Sequence, residues 1–151
     1  KNIFISSAEF KYPVLTSNEL KNLNIQSIAN DDSLLFMWTT NPHLAQAVEL
    51  GQFWGFEYKT IIFVWNKMMH NPGQYNLSYC EVCLLFKRGR IPKPRGARNI
   101  KQYIEEKRSI HSKKPDVVRE NIVKMFPKQS RIELFARSKN KGWDSWGLDV
   151  E

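Results

Sequence analysis

The chain has 151 residues, 42% of them hydrophobic and 25% charged, which suits one globular domain that holds its core without disulfides or metals. Its two cysteines rule out a disulfide framework, and its apolar runs are too short to span a bilayer. The formal net charge of +8 favours a polyanionic partner. Because the opening residues form no secretory leader, we expect a cytoplasmic protein of one domain, residues 1–151, with no membrane partner.

Strand-like and helix-like segments alternate along the chain. In chain order we predict a strand over residues 2–5, a helix over 17–23, a strand over 33–39, a helix over 41–55, strands over 60–65 and 80–87, a strand or short helix over 100–105, a helix over 115–125 and a strand over 131–137. Loops are expected over 6–9 and 66–78. In the second long helix we expect Asn41 as the cap and Pro42 as the first residue. This alternation predicts an α/β doubly wound sheet, with strands such as 33–39 covered on both faces.

Two cysteines three residues apart, Cys80 and Cys83, raise the question of redox or zinc chemistry. A structural zinc site needs four ligands, and the sequence contains no second cysteine pair. On a strand, residues three apart point to opposite faces. We therefore interpret both as small buried hydrophobic residues and predict no metal site.

A basic segment follows the predicted strand 80–87. From Lys87 to Lys114 there are eleven Lys or Arg residues against only two acidic ones. Gly and Pro keep the first part extended, so its charges do not pair along a helix face. One interpretation is a solvated loop. We favour the other, in which Arg88, Arg90, Arg95 and Arg98 contact nucleic-acid phosphates without reading the base sequence.

Several short motifs, weak one by one, become specific as an ordered set. They are Tyr12-Pro13, then Leu35-Phe36-Met37-Trp38-x-Thr40-Asn41-Pro42-His43, then Trp54-Gly55-Phe56, then Val64-Trp65-x-Lys67, then His111-Ser112-x-Lys114-Pro115-Asp116, then Ile132-Glu133-Leu134-Phe135-Ala136-Arg137. In this order the chain resembles the adenine-N6 methyltransferases related to the messenger-RNA adenosine methyltransferase, in a bacterial or phage version. The match covers nearly the whole chain.

This resemblance implies a Rossmann-like class I methyltransferase fold, with a mostly parallel sheet and helices on both faces. It implies S-adenosylmethionine as cofactor and the N6 amine of adenine in nucleic acid as methyl acceptor, with DNA favoured and RNA open. The host would be a bacterial or phage-infected cell. A homodimer, or a heterodimer with a related subunit, is compatible with the resemblance.

Residue by residue, the resemblance also implies a site. The implied cofactor contacts are Lys114, Phe135, Arg137, Asn140 and Asp149, and the implied substrate contacts are Tyr12, Trp65, Lys67 and Glu81. A solvated surface position is the alternative for Lys114, and a core position is the alternative for Phe135. Trp38 is expected in the core. A lone acid such as Glu81 in an apolar strand is expensive to bury unless it is paired or used.

The family's hallmark, Asp-Pro-Pro-Trp directly after the first strand, is missing from the sequence, where Ser6-Ser7-Ala8 follows Ile5. In the family this motif supplies the groups that hold the adenine amine, so the catalytic residues are unknown. Either a mobile catalytic loop belongs between Ile5 and Ser6, which we favour, or the chain is a catalytically inactive, nucleic-acid-binding subunit of a heterodimer. A generic nucleotide-binding protein is disfavoured because no Gly-rich phosphate loop occurs.

Overall fold

A computed structural model describes residues 3–7, 17–109, 113–136 and 138–146. Its strands are β1 (Ile3–Ser7), β2 (Ser33–Thr39), β3 (Glu57–Pro72), β4 (Leu77–Arg88), β5 (Tyr103–Glu105), β6 (Arg131–Leu134) and β7 (Asp144–Trp146). Its α-helices are α1 (Ser17–Lys21), α2 (Leu44–Phe53) and α3 (Asp116–Met125), and single 3-10 turns cover Ile25–Ser27 and Asn41–His43. The predicted α/β class is confirmed.

The described strands form one mixed sheet in the order β5-β3-β4-β2-β1-β6-β7. Pairings β1–β2, β1–β6, β6–β7 and β3–β5 are parallel, whereas β4 is antiparallel to both β2 and β3. The strands other than β4 therefore share one direction. The prediction of a loop over 66–78 is wrong, because β3 continues to Pro72 and only residues 73–76 join it to β4. So short a connection makes a hairpin and cannot cross over to a parallel strand.

Helices cover both faces of the sheet, as predicted. Every residue of β2 is buried, and its side chains alternate between two hydrophobic cores. Leu34, Phe36 and Trp38 face the first core, which includes Val118 and Ile122 of α3. Leu35 and Met37 face the second core, with side chains of α1 and α2 that include Leu20, Ala47 and Leu50.

Several predicted boundaries are wrong by a few residues. β1 extends through Ser7, with Ser6 paired to Met37 and Ser7 to Trp38, so it does not end at Ile5. Asn41 is not the cap of α2: it opens a 3-10 turn that follows Thr40, and the α-helix begins at Leu44. The last predicted strand ends at Leu134 rather than at residue 137, and a further strand, β7, follows it.

Cys83 lies in the first core and is fully buried, as its interpretation as a small hydrophobic residue predicts. Burial raises the pKa of its thiol, so the sulfur stays protonated. Within the described residues, no group of three or more His, Cys, Asp or Glu side chains is placed to hold a metal ion. None of the described helices is long and apolar enough to cross a membrane.

Candidate active site

The carboxyl edge of the sheet is the edge at which β1, β2, β5, β6 and β7 end. In α/β sheets, ligands bind at this edge. Strand register brings two tryptophans and a carboxylate together there: Trp38 of β2 pairs with Cys83 of β4, and Trp65 of β3 pairs with Glu81 of β4. By strand alternation these side chains share the face that carries α3.

A buried ionic cluster occupies this position. Glu81 is 4% exposed and Lys67 6% exposed. The Lys114 Nζ lies 2.6 Å from Glu81 Oε1, and the Lys67 Nζ lies 3.3 Å from Glu81 Oε2. Two ammonium groups therefore share one carboxylate. The expectation that Glu81 must be paired or used is met by two partners.

Two tryptophans form the apolar wall of the ionic cluster. The Nζ of Lys114 lies 5.6 Å from the ring centroid of Trp38 and 5.9 Å from that of Trp65, within reach of a cation–π attraction. The two rings meet edge to face, with centroids 6.0 Å apart. The indole N–H of Trp65 donates to the carbonyl of Glu106 at 2.8 Å, which fixes its ring. Trp38 is 1% exposed, so its expected core position is confirmed.

Lys114 immediately precedes Pro115, which is the N-cap residue of α3. No side chain caps this helix end by a hydrogen bond. The side chain of Lys114 is 10% exposed, which contradicts the alternative of a solvated surface lysine. Helix amino ends attract anions through free N–H groups and the helix dipole. The Lys114 ammonium group and the start of α3 therefore lie at the same corner of the sheet.

A second polar group lies where β6 ends. Glu133 of β6 accepts from Arg119 of α3 at 3.4 Å and from the Asn140 amide at 3.4 Å. Burial raises the pKa of Glu133, and the Arg119 guanidinium and the Asn140 amide partly oppose that rise. Arg119 also bonds Asp116, which in turn pairs with Lys113, so a polar chain runs from the start of α3 to Asn140.

Phe135 occupies a different place. It follows β6 directly, packs in the second core, and has a φ of 58°, which non-glycine residues rarely adopt. Its ring meets Trp146 edge to face at 5.1 Å, and the N–H of Ala136 donates to the Trp146 carbonyl at 2.9 Å. The core alternative for Phe135 is thus realised. Its position at a strand end keeps the implied cofactor contact as a prediction.

The structure brings together four of the sequence-predicted site residues, namely Trp65, Lys67, Glu81 and Lys114. Asn140 lies on the same sheet edge, beside Glu133. Tyr12, Arg137 and Asp149 lie outside the described residues. The roles assigned to all of these side chains stay predictions.

The basic segment begins at the opposite edge of the sheet. Arg88 ends β4, opposite Ser33 at the start of β2, and its guanidinium lies 3.4 Å from the carbonyls of Gln26 and Ala29. Arg90 follows, with its backbone N–H bonded to Asp32. Arg88 therefore has polar partners within the fold. We favoured phosphate contact because we expected the charges of this segment to be unpaired, and for Arg88 that expectation is wrong.

The rest of the segment packs near the carboxyl end of α3. The Arg95 guanidinium lies 5.7 Å from the ring centroid of Phe126, while the N–H groups of Gly96 and Ala97 donate to the Met125 and Lys124 carbonyls. Arg98 is exposed. None of these contacts tests nucleic-acid binding, so the predicted phosphate contacts stay predictions. The residues concerned do not adjoin the ionic cluster.

Sequence reasoning missed the pairing of Arg119 with Glu133. The available signals were an acid in the apolar run of β6 and an Arg three residues after Asp116 on a helix. It also assigned Lys67, Glu81 and Lys114 separate roles, without predicting that they contact each other.

Comparison with known proteins gives consistent matches. Residues 2–149 match the MT-A70 family. Over 150 residues the chain is 56% identical to the type II methyltransferase M.MunI of Mycoplasma sp, covering 99% of this chain and 64% of the relative. It is 31% identical to the human N(6)-adenosine-methyltransferase catalytic subunit METTL3, covering 95% of this chain and 26% of the relative. The chain thus spans less than two thirds of the length of these relatives.

Proposed function

Because the chain belongs to the MT-A70 family, we propose that it forms the cofactor-binding domain of an enzyme that transfers a methyl group from S-adenosylmethionine to the N6 amine of adenine in DNA. We propose one Rossmann-like class I methyltransferase domain over residues 1–151. The human relative, named an N(6)-adenosine-methyltransferase, supports the adenine amine as acceptor. The mycoplasma relative, named a type II methyltransferase, supports DNA over RNA.

The observation that carries this proposal is the buried cluster of Lys67, Glu81 and Lys114 at the carboxyl edge. It places the Lys114 ammonium group, which lies 2.6 Å from Glu81 Oε1, beside the start of α3. Such a site suits a ligand that presents a carboxylate, and S-adenosylmethionine carries one on its amino-acid part. The residues present therefore fit this cofactor.

When bound, S-adenosylmethionine supplies a methyl group on a positively charged sulfur. Transfer of that methyl group to the adenine N6 nitrogen would form a nitrogen–carbon bond, break the carbon–sulfur bond, and release one amine proton to water. In the proposed site Lys114 holds the cofactor carboxylate, and Glu81 fixes the Lys114 ammonium by an ion pair. Trp38 and Trp65 exclude water from this pair, which strengthens it.

The nucleoside end of the cofactor is assigned to the ends of β6 and β7. Phe135, Asn140, Arg137 and Asp149 are the proposed contacts, the last two from outside the described residues. Tyr12 is likewise proposed for the adenine pocket, together with Trp65, Lys67 and Glu81. A base inside a duplex has to be flipped out to reach this edge.

One observation favours a second function. No Asp-Pro-Pro-Trp sequence occurs in the chain, and β1 runs through Ser6 and Ser7. A loop that supplies the catalytic groups would therefore follow Ser7 rather than Ile5. Without it the chain would be a nucleic-acid-binding subunit, inactive by itself, that pairs with an active subunit.

Two measurements test the proposal. Titration calorimetry of the full-length protein with S-adenosylmethionine is expected to show one bound molecule per chain. Incubation with single-stranded DNA, duplex DNA and RNA, followed by mass analysis of the nucleosides, is expected to show N6-methyladenine, most in DNA. Binding without methylation would favour the inactive subunit. Neither binding nor methylation would reject both the enzyme and its site.

A lysine pair supplies the matched control. Lys114→Ala is expected to weaken cofactor binding by about tenfold or more, because a charged hydrogen bond to the cofactor carboxylate is lost. Lys113→Ala removes a neighbouring cation that pairs with Asp116 and is expected to leave cofactor affinity within about twofold. Equal effects of the two substitutions would contradict the assignment of Lys114.

A further inference from the structure

A two-stranded arm projects from the carboxyl edge beside the proposed site. β3 and β4 continue past the pairing of Asn66 with Cys80, whereas β5 ends opposite Asn66 and β2 ends opposite Val82. We call residues 67–80 the arm. Its outer pairs, Asn71 with Ser78 and Pro72 with Leu77, have no further described strand beside them.

Exposed apolar side chains are concentrated on the arm. Leu77 is 54% exposed, Tyr79 is 42% exposed, and Tyr75 at the turn is 94% exposed. Met68 and Met69 are also exposed. Two of the arm's rings already contact each other, since the His70 and Tyr79 centroids lie 5.5 Å apart. Exposed aromatic groups clustered in this way mark an interaction surface.

The arm continues the site outwards. Along β4, Leu77, Tyr79 and Glu81 lie on the same face of the strand. Tyr79 is two residues from Glu81, which is about 7 Å along the strand. On β3, the four residues from Lys67 to His70 form a bulge opposite Tyr79. This bulge places the His70 ring against the Tyr79 ring. Any base brought to Glu81 would therefore have its chain neighbours beside Tyr79.

Charge distinguishes the possible occupants. Residues 68–80 contain no Asp, Glu, Lys or Arg, so no carboxylate on the arm repels phosphate. At its base, the N–H of Arg108 donates to the Lys67 carbonyl at 3.1 Å, which places the cations Lys107 and Arg108 alongside, next to Glu105 and Glu106. The chain has a net charge of +8, opposite to a polynucleotide and the same as a second copy. Aromatic rings next to cations are typical of single-strand binding.

We propose that the arm binds the nucleotides that flank the target adenine by stacking their bases on Tyr79 and its neighbours. This inference rests on the proposed function, because it assumes a polynucleotide at the same edge. Stacking has little dependence on base identity, since every base has a flat π face. The arm would hold an unpaired strand in place while the adenine enters the site.

The test uses the full-length protein and a short fluorescein-labelled single-stranded DNA with one adenine, followed by fluorescence anisotropy. Tyr79→Ala is expected to weaken binding about tenfold, the loss typical of one stacked base. Tyr79→Phe keeps the ring and should stay within about twofold of the parent protein. Phe53→Ala removes another exposed ring, 57% exposed against 42% for Tyr79, from α2 on the other face of the sheet, and should leave DNA affinity unchanged.

Two further readouts separate stacking from other causes. The fold loss of DNA affinity in Tyr79→Ala should be the same at about 50 and about 200 mM salt, because the substitution removes no charge. The affinity for S-adenosylmethionine should be unchanged in Tyr79→Ala, which shows that the site is still folded.

Other results overturn the inference. If Tyr79→Ala binds DNA as tightly as the parent protein, the arm does not stack bases, while the proposed methyl transfer stands. If the parent protein is a dimer in solution and Tyr79→Ala is monomeric with unaltered DNA affinity, the arm is a subunit contact. If the parent protein binds no DNA or RNA, this inference and the proposed acceptor fail together.

Discussion

At the scale of single residues, Glu81 shows how a buried charge is made tolerable. Its two carboxylate oxygens each face one lysine, and the lysines come from β3 and from the residue before α3. Taking three charges out of water is expensive, and only their mutual contacts offset that expense. The cluster is therefore interdependent: removing one member exposes the others to the low dielectric of the core.

Glu81→Gln is expected to destabilise the protein by about 3–5 kcal/mol, because it removes the carboxylate that two buried ammonium groups share. Denaturation in urea would measure the change. Glu120→Gln, on the exposed side of α3, is the control and should change stability by less than about 0.5 kcal/mol. Adding Lys67→Met to Glu81→Gln should recover part of the loss. A stable single variant would show that water reaches the cluster.

Glu133 gives a pH prediction at the same scale. Burial raises its pKa in the folded state, so the folded protein binds a proton more tightly than the unfolded chain does. Its contribution to stability is therefore present below the unfolded pKa and is lost as pH rises through the folded pKa. In Glu133→Gln, the free energy of unfolding should fall less steeply as pH rises. Urea denaturation at pH values from just below to above the ordinary carboxyl pKa would measure this. An unchanged pH slope would contradict the assignment.

At the scale of elements, α2 meets the sheet through a glycine. Gly51 is buried, and a Cβ added there would lie well inside van der Waals contact with the ring of Phe86 on β4. The ring packs in the second core and has little room to move. The close approach of α2 to β4 therefore depends on the missing side chain.

Gly51→Ala is expected to lower stability by about 1–3 kcal/mol through overpacking. Alanine favours helices over glycine by about 0.5–1 kcal/mol, which opposes but does not cancel that loss. Urea denaturation measures the sum, and Gln52→Ala, exposed on the same helix, is the control. A more stable Gly51→Ala variant would show that the Phe86 ring moves aside freely.

At the scale of the whole molecule, positive charge lies at both edges of the sheet. Arg88 and Arg90 lie at the edge where β2 begins, whereas Lys107 and Arg108 follow β5 at the carboxyl edge. Only the second pair adjoins the ionic cluster.

Salt dependence distinguishes the two edges. Lys107→Ala combined with Arg108→Ala should reduce the slope of log affinity for single-stranded DNA against log salt by about 0.7 for each cation lost. Arg90→Ala combined with Arg98→Ala removes the same charge from the other edge. A comparable fall in slope there would support the phosphate contacts predicted for the basic segment, whereas an unchanged slope would contradict them. Fluorescence anisotropy across a salt series measures both.

The sequence by itself determined the α/β class, the buried strand 33–39 and the helix predicted over 115–125, which the structure has at Asp116–Met125, because these depend on local periodicity and on proline. It also singled out Lys114 and Glu81 as candidate site residues, since a family motif and a lone acid in an apolar strand are visible in one dimension. The hairpin was missed because the stretch from Asn66 to Ser78 lacks a regular core-facing pattern: its apolar side chains are exposed, since it projects beyond the core.

Only the tertiary structure decided which side chains meet. Lys67, Glu81 and Lys114 come from positions up to 47 apart in the chain, and their contact depends on strand order and on where α3 begins. The same strand order places Arg88 at the opposite edge of the sheet from Lys114, although both residues belong to the basic segment from Lys87 to Lys114. Local patterns fix how each segment folds, whereas proximity between segments follows from the direction and register of the strands, which hydrogen bonds between distant residues set.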